Sequence, residues 1–231
     1  MILKSYQLNN ILSFKTNFFL FYGENEGLKA EAIQTIINSG FSKIIQKYDE
    51  SDVLSNYDSF IYESCNKSLF EDKKIIIVSR ASEKIIPLID EMKIKNFDDI
   101  KLVINCGVLE KKSKLRTIFE KEKNLVCVPF YSDDNKTLTN LANNFFSKNK
   151  ISISREVINL LVERSRGDRI NLNNELSKIE SYLETNKVVT HNEILTLTNL
   201  AENYSFSELA DSCLSRNKRK TIYMINENNY S

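Results

Sequence analysis

The sequence predicts an α/β protein in which a parallel sheet flanked by helices is followed by smaller all-helical regions. Short apolar runs rich in β-branched and aromatic residues recur up to about residue 131, and the segments between them have helical spacing. Beyond that point the strand-like runs stop. The 231 residues, 42% hydrophobic and 27% charged, are enough to bury a core of ordinary globular size.

Five apolar runs predict the strands of the sheet. Several of them are apolar at nearly every position, as expected for strands that are covered on both faces. Parallel strands of this kind require helical connections, which the intervening segments supply. The runs are residues 18–22, 43–47, 74–79, 101–106 and 125–130, and we place them in a domain of residues 1–134.

A small three-helix domain is predicted at residues 135–202, because apolar residues recur there three and four positions apart. Ser154 and Asp168 are favourable N-cap residues, and Gly167 suits the end of the preceding helix. Thr190 and Glu193 have the spacing of a capping box, with Val189 and Ile194 as its hydrophobic staple.

Residues 203–231 predict the beginning of another helical domain. A second capping box, Ser205 with Glu208, opens one helix, and a further helix surrounds Ile222, Tyr223 and Ile225. Two short amphipathic helices are too few to form a core. We therefore expect this region to be loosely packed, or to dock on the preceding helical domain or on another copy of itself.

The charge composition argues against a general electrostatic attraction to several classes of partner. The 32 basic residues nearly cancel the 31 acidic ones, so no overall field favours nucleic acid, an anionic membrane or an acidic substrate. No apolar run approaches the roughly 18 residues of a membrane span, and the first residues are too polar for a signal peptide. We expect a cytoplasmic protein without membrane contact.

Cysteine and histidine usage argues against metal or triad chemistry. The four cysteines form no CxxC pair, and Cys106 and Cys127 lie in apolar runs where cysteine behaves as a small hydrophobic residue. His191, the one histidine, is expected in the first turn of a helix. We predict no metal site and no His-based triad.

The stretch FFLFYGENEGLKAEAI, residues 18–33, has the layout of a phosphate-binding loop: a strand, a glycine turn and a helix. A working loop has the spacing GxxxxGK[ST], in which lysine reaches the terminal phosphates and the hydroxyl holds magnesium. Here the spacing is one residue short, the lysine comes one position late and the hydroxyl is missing, while two acids would repel a triphosphate. The residues concerned are Gly23, Gly27, Lys29, Ala30, Glu24 and Glu26.

The acidic pair that P-loop ATPases place after a buried strand is also missing from the two candidate strands, KIIIVSR and KLVINCG. We therefore predict an ATPase-like fold that has no catalytic residues and binds no ATP or other cofactor. A βα turn that contains two glycines by chance would lead to the same expectation about ATP.

Four segments together resemble the delta subunit of the bacterial DNA polymerase III clamp loader, an ATPase-inactive member of the AAA+ family. They are FFLFYGENEGLKAEAI, SLFEDKKIIIVSRASEK, SRGDRINLNNELSKIESY and AENYSFSELADSCLSRNKRK, in this order along the chain. The resemblance covers essentially the whole chain. It implies an AAA+ domain, a three-helix lid and a helical collar, and the chain ends within the collar that family members carry complete.

The resemblance also implies a role in DNA replication, as a non-catalytic subunit of the DNA-directed DNA polymerase holoenzyme. Such subunits insert a Leu-Phe pair into the sliding clamp (the beta subunit) and open it; the matching residues here are Leu69 and Phe70. Implied partners are the tau/gamma and delta prime subunits, through the collar, and primer-template DNA within the assembled loader. From the residues alone, Leu69 and Phe70 could equally pack against the sheet.

Two other functions fit parts of the sequence. The first is an active or nucleotide-sensing AAA+ ATPase with an irregular P-loop. The second is a nucleic-acid-binding module that uses Lys111, Lys112, Lys114 and Arg116. These cations alternate with Leu115 and Ile118, so we favour a solvated helix face for them.

Overall fold

The computed structural model describes residues 16–65, 73–94, 99–186, 189–198 and 206–227. Leu69, Phe70, Ser205 and the side chain of Glu208 lie outside the described part, so the predicted clamp contact and second capping box are not described. The chain divides into two compact units, Met1–Ser132 and Asp133–Ser231. Among the described residues, no helix is long and apolar enough to span a membrane.

The first unit is a five-stranded parallel sheet with the strand order β2-β3-β4-β1-β5. All five predicted strands are confirmed. The elements in chain order are β1 (Phe18–Gly23), α1 (Glu26–Ile37), β2 (Ile44–Asp49), α2 (Glu50–Ser55), α3 (Tyr57–Cys65), β3 (Lys74–Ala81), α4 (Ile86–Ile94), β4 (Ile100–Cys106), α5 (Lys114–Lys121) and β5 (Leu125–Phe130).

The largest differences from the predicted strand ends are at β2 and β3, each of which runs two residues further, to Asp49 and Ala81. β2 is an edge strand, and half-buried and exposed positions nearly alternate along it. An edge strand has only one neighbour and a partly solvated face, so its ends carry little apolar signal in the sequence.

Both faces of the sheet are covered, as the apolar runs predicted. Phe19 and Phe21 of β1 pack on one face, in a cluster that includes Ala32 and Ile36 of α1. Leu20 belongs to the cluster on the opposite face, which includes residues of α2 to α5. Each fully buried side chain of this size contributes about 1.5–3 kcal/mol. The sheet therefore holds the carboxyl ends of its strands in fixed positions.

The second unit contains α6 (Asn135–Lys148), α7 (Arg155–Arg164), α8 (Arg169–Thr185) and the short α9 (His191–Leu197). Three of these helices have ten or more residues, and all four share one core. Buried members of this core include Leu138, Leu161, Leu172, Ile179 and Ile194.

The predicted helix starts in this unit are confirmed. The Ser154 hydroxyl accepts from the backbone N–H of Val157, and the Asp168 carboxylate accepts from that of Ile170. The Thr190 backbone N–H donates to Oε2 of Glu193 over 2.7 Å, and the Glu193 N–H donates to the Thr190 hydroxyl, which completes the capping box. His191 is the first residue of α9.

The last two helices are α10 (Phe206–Leu214) and α11 (Lys218–Glu227), which pack against each other. Ser212 and Met224 are buried. Leu214 is 81% exposed, and Ile222, Tyr223 and Ile225 are about half exposed. The apolar stripes that the sequence predicts here are thus partly open to solvent, and the division of the second unit at residue 203 stays a prediction.

Candidate functional site

The connection between β1 and α1 is only two residues long, Glu24 and Asn25. Helix α1 begins at Glu26, so Gly27 lies inside its first turn. A phosphate-binding loop needs several residues between strand and helix, because their backbone N–H groups must surround the anion. The second glycine of the sequence pattern is therefore helical, and the connection has no room for such a cradle.

Gly23 is required at the end of β1 for steric reasons. Its φ is +127°, a conformation that favours glycine. A Cβ atom at this position would lie 2.1 Å from the carbonyl oxygen of Phe130 on β5. The Gly23 N–H donates to the carbonyl of Gly107, just after β4, over 3.0 Å. Gly23 thus allows the chain to continue from the end of β1 in close contact with the ends of its two neighbouring strands, β4 and β5.

Asn25 closes the connection with both its backbone and its buried side chain. The backbone N–H donates to the carbonyl of Phe130, and the side-chain Nδ2 donates to that of Tyr131. The side-chain Oδ1 accepts from the N–H of Leu28 over 2.9 Å and caps α1. Several N–H groups that a phosphate would need, those of residues 23, 25, 26, 28 and 29, are therefore bonded within the protein.

Lys29, which the sequence pattern places one position late, is directed into the protein. Its side chain is 1% exposed, and Nζ donates to the carbonyl oxygen of Cys106 at the end of β4 over 2.7 Å. Nζ also forms an ion pair with Glu26 over 2.7 Å. A buried ammonium group is stable only with such partners. In this arrangement Lys29 cannot reach out to a terminal phosphate.

Neither β3 nor β4 ends in an acid, because the strands end at Ala81 and Cys106. An acidic pair instead lies at the end of β2, where Asp49 is the last residue of the strand and Glu50 follows it. In the sheet order, β2 is three strand spacings from β1, which is about 14 Å. This separation is too large for one magnesium ion to bridge the acids and a phosphate bound after β1.

Both acids are moreover engaged in structural contacts. Asp49 forms an ion pair with Arg80, whose backbone is in the left-handed region at φ 54°. The buried carboxylate of Glu50 accepts from the Ser82 N–H over 2.7 Å and from the Ser82 hydroxyl over 2.8 Å. These contacts tie the end of β2 to the end of β3.

Sequence reasoning missed the partners that close the site. The carbonyl of Cys106 leaves no signature, because any residue supplies a backbone oxygen. Asn25 did leave one, since an asparagine directly before a helix is a common N-cap.

One residue before Cys106, the amide oxygen of Asn105 is buried without a hydrogen-bond partner among the described residues.

Cys106 and Cys127 are free and buried, as their apolar surroundings predicted. Burial, as the main cause, raises the pKa of both thiols to about 12. The thiolate is the nucleophilic form of cysteine, so these two side chains stay neutral and unreactive at physiological pH.

The basic cluster at residues 111–116 differs from the predicted solvated face at one position. Lys111, Lys112 and Lys114 are exposed. Arg116 instead donates from Nε to Glu120 over 2.6 Å, and its guanidinium lies 5.1 Å from the centre of the Tyr22 ring. The hydrogen bond to Glu120 raises the pKa of Arg116. Arg116 is thus a packing residue, because α5 turns this side chain towards β1.

No protein-family model matches the chain, and no curated protein matches its sequence. Solved structures do match. The Bacillus subtilis DNA clamp loader delta protein (YqeN) is 15% identical, with 96% of this chain and 70% of that chain covered and a TM-score of 0.60. The Thermotoga maritima RuvB Holliday junction branch migration motor is 14% identical, with 92% and 76% covered and a TM-score of 0.56.

The fold is of the AAA+ type. The strand order, the five parallel strands and the helical second unit agree with this assignment. At these identities the likeness concerns the fold alone.

Proposed function

We propose that this chain is a clamp-loader subunit of the delta type, which binds and opens a sliding clamp in DNA replication without hydrolysing ATP. The observation that carries the non-catalytic part is the burial of Lys29 against Cys106 and Glu26. The likeness to a clamp loader delta protein supports the choice of complex.

Three features of the β1–α1 connection support the absence of ATP hydrolysis. The connection is two residues long, several of its N–H donors are bonded internally, and the acids at the sheet edge lie at the end of the distant strand β2. Phosphoryl transfer depends on positioned donors, a lysine and a metal at the γ-phosphate. A protein that lacks this arrangement can contribute to a loader only by binding.

The mechanism we propose is differential binding. A subunit that holds the open ring more tightly than the closed ring shifts the ring towards opening by that difference in free energy. Leu69 and Phe70 would be the apolar anchor in the clamp. Neighbouring loader subunits would supply ATP hydrolysis. The tau/gamma and delta prime subunits would be partners through the collar, and primer-template DNA would be bound within the assembled loader.

The decisive experiment measures binding to the immobilised sliding clamp from the same organism, without ATP. Fully burying a leucine or a phenylalanine is worth about 1.5–3 kcal/mol each, and every 1.4 kcal/mol is about tenfold in affinity. We expect Leu69→Ala with Phe70→Ala to weaken clamp binding by about two to four orders of magnitude. Because an anchor must be accessible in the free protein, the double variant should keep its unfolding midpoint.

The matched control replaces one aliphatic and one aromatic residue elsewhere in the first unit, Ile94→Ala with Tyr131→Ala. These side chains are 83% and 70% exposed, and their loss should leave clamp affinity unchanged. The proposal fails if the parent chain does not bind the clamp. It also fails if the Leu69 and Phe70 variant melts far below the parent yet binds normally once folded, because the pair would then be packing residues.

A further inference from the structure

The turn between α10 and α11 carries a concentrated positive charge. Four cations fall within five residues, and residues 212–226 contain no acid. All four side chains are exposed, and none forms an ion pair within the described part of the chain. We call this group the basic turn; its members are Arg216, Lys218, Arg219 and Lys220.

The backbone that presents the basic turn is well ordered by hydrogen bonds. Arg216 adopts the left-handed region at φ 54°, and the Asn217 N–H donates to the carbonyl of Ser212 over 3.0 Å. The Asn217 side chain accepts from the Lys220 N–H over 3.2 Å. The hydroxyls of Ser212 and Thr221 lie 3.1 Å apart and join the two helices. The cations therefore project from a defined scaffold.

The position of these charges is unfavourable for the free protein. Lys218, Arg219 and Lys220 form the first turn of α11, and this turn contains no acid. The N-terminus of a helix carries a partial positive charge, so cations there destabilise it and repel one another. Lys93, by contrast, is paired with Glu122. A bound anion would remove the repulsion at the basic turn.

We propose that the basic turn binds the phosphate backbone of nucleic acid, without sequence preference. Four cations on one turn neutralise several phosphates at once, whereas the net charge of +1 over the whole chain provides no general attraction. Tyr223, half exposed, lies four residues after Arg219 and hence on the same side of α11. Its ring offers a stacking surface next to the cations, which suits nucleic acid better than an acidic protein.

This inference goes beyond the proposed clamp binding and can be tested without the clamp. The probe is a fluorescein-labelled 30-base-pair duplex of mixed sequence, with the matching single strand in parallel, and the readout is fluorescence anisotropy with the full chain. With four phosphate contacts, the logarithm of affinity should fall with that of salt at a slope of about −3.6 for duplex. Affinity should then drop about 100-fold between 50 and 200 mM salt.

The test variant is Arg216→Gln, Lys218→Gln, Arg219→Gln and Lys220→Gln together. It should lose most of the salt slope and bind at least about 100-fold more weakly at 50 mM salt. The control changes four dispersed, exposed lysines to glutamine and alters the net charge equally; it should keep nearly the parent affinity and slope. These lysines are Lys47, Lys84, Lys123 and Lys148.

Circular dichroism establishes that each variant is folded. If the fourfold variant unfolds, the pair Arg219→Gln and Lys220→Gln replaces it and should lose about half of the slope. The proposal is overturned if the parent does not bind either probe at 50 mM salt, or if the test and control variants behave alike. It is also overturned if polyglutamate of equal charge displaces the probe as well as unlabelled DNA does, because an acidic protein would then be an equally good partner.

Discussion

The β1–α1 connection and the basic turn are built alike but differ in where their cations lie. Each is a short, hydrogen-bonded turn in front of a helix, and each helix is capped by an asparagine, Asn25 or Asn217. At the β1–α1 connection, Lys29 is buried and bonded to oxygens of Cys106 and Glu26. At the basic turn, all four cations are exposed.

An anion site is recognised by whether its cations and N–H groups are available to a ligand. The β1–α1 connection resembles a phosphate-binding loop in sequence, yet its lysine and several of its N–H groups are occupied by internal partners. The basic turn resembles no phosphate motif, yet its charges have no internal partners among the described residues. Whether a cation already has a partner within the protein is therefore a better indicator of an anion site than the sequence motif around it.

A substitution at Gly23 is expected to have the largest effect on the β1–α1 connection. Gly23→Ala places a Cβ against the Phe130 carbonyl and forces alanine to a φ of +127°. Steric overlap and backbone strain together should cost about 3–5 kcal/mol of unfolding free energy, measured by urea denaturation. The control, Gly40→Ala, has a φ of +72° and no neighbouring atom within 4 Å. It should cost about 1 kcal/mol; equal costs would show that the approach to Phe130 is not tight.

Replacing Lys29 tests whether its ammonium group is structural. Lys29→Ala removes a buried side chain and leaves the Cys106 carbonyl without this donor, which should cost about 2–4 kcal/mol. Lys29→Met keeps most of the volume and should cost about 1–2 kcal/mol. Calorimetry with magnesium and ATP should be flat for the parent and both variants. A micromolar dissociation constant in the parent that Lys29→Met abolishes would instead favour the ATPase alternative.

The two helix caps compare the two turns most directly, with the smallest effects. Asn25 is buried and its side chain bonds to Tyr131 and Leu28, so Asn25→Ala should cost about 2 kcal/mol. Asn217 is exposed, and its side chain caps α11 in contact with solvent, so Asn217→Ala should cost about 1 kcal/mol or less. Urea denaturation of both variants provides the measurement. A larger cost at Asn217 would mean that the basic turn is the more rigid of the two.

The sequence alone predicted the five strands, the helix starts in the second unit and the fold class. Continuous apolar runs such as the one that became β5 predict strands buried on both faces, and period and capping residues predict helices such as α9. These signals are local, because each depends on a few neighbouring residues. The missing hydroxyl at Ala30 was visible for the same reason, as was the fact that neither β3 nor β4 ends in an acid.

The role of Lys29 depends on contacts that form only in the folded protein. In sequence Lys29 is a displaced phosphate ligand; in the fold it is a buried partner of a carbonyl 77 positions away in the chain. Likewise, Arg116 is part of a basic cluster in the sequence, whereas in the fold α5 brings its guanidinium over the Tyr22 ring. The physical reason is that a charge is satisfied or left free by groups that folding brings together, and long-range pairing of this kind leaves no trace in the spacing of neighbouring residues.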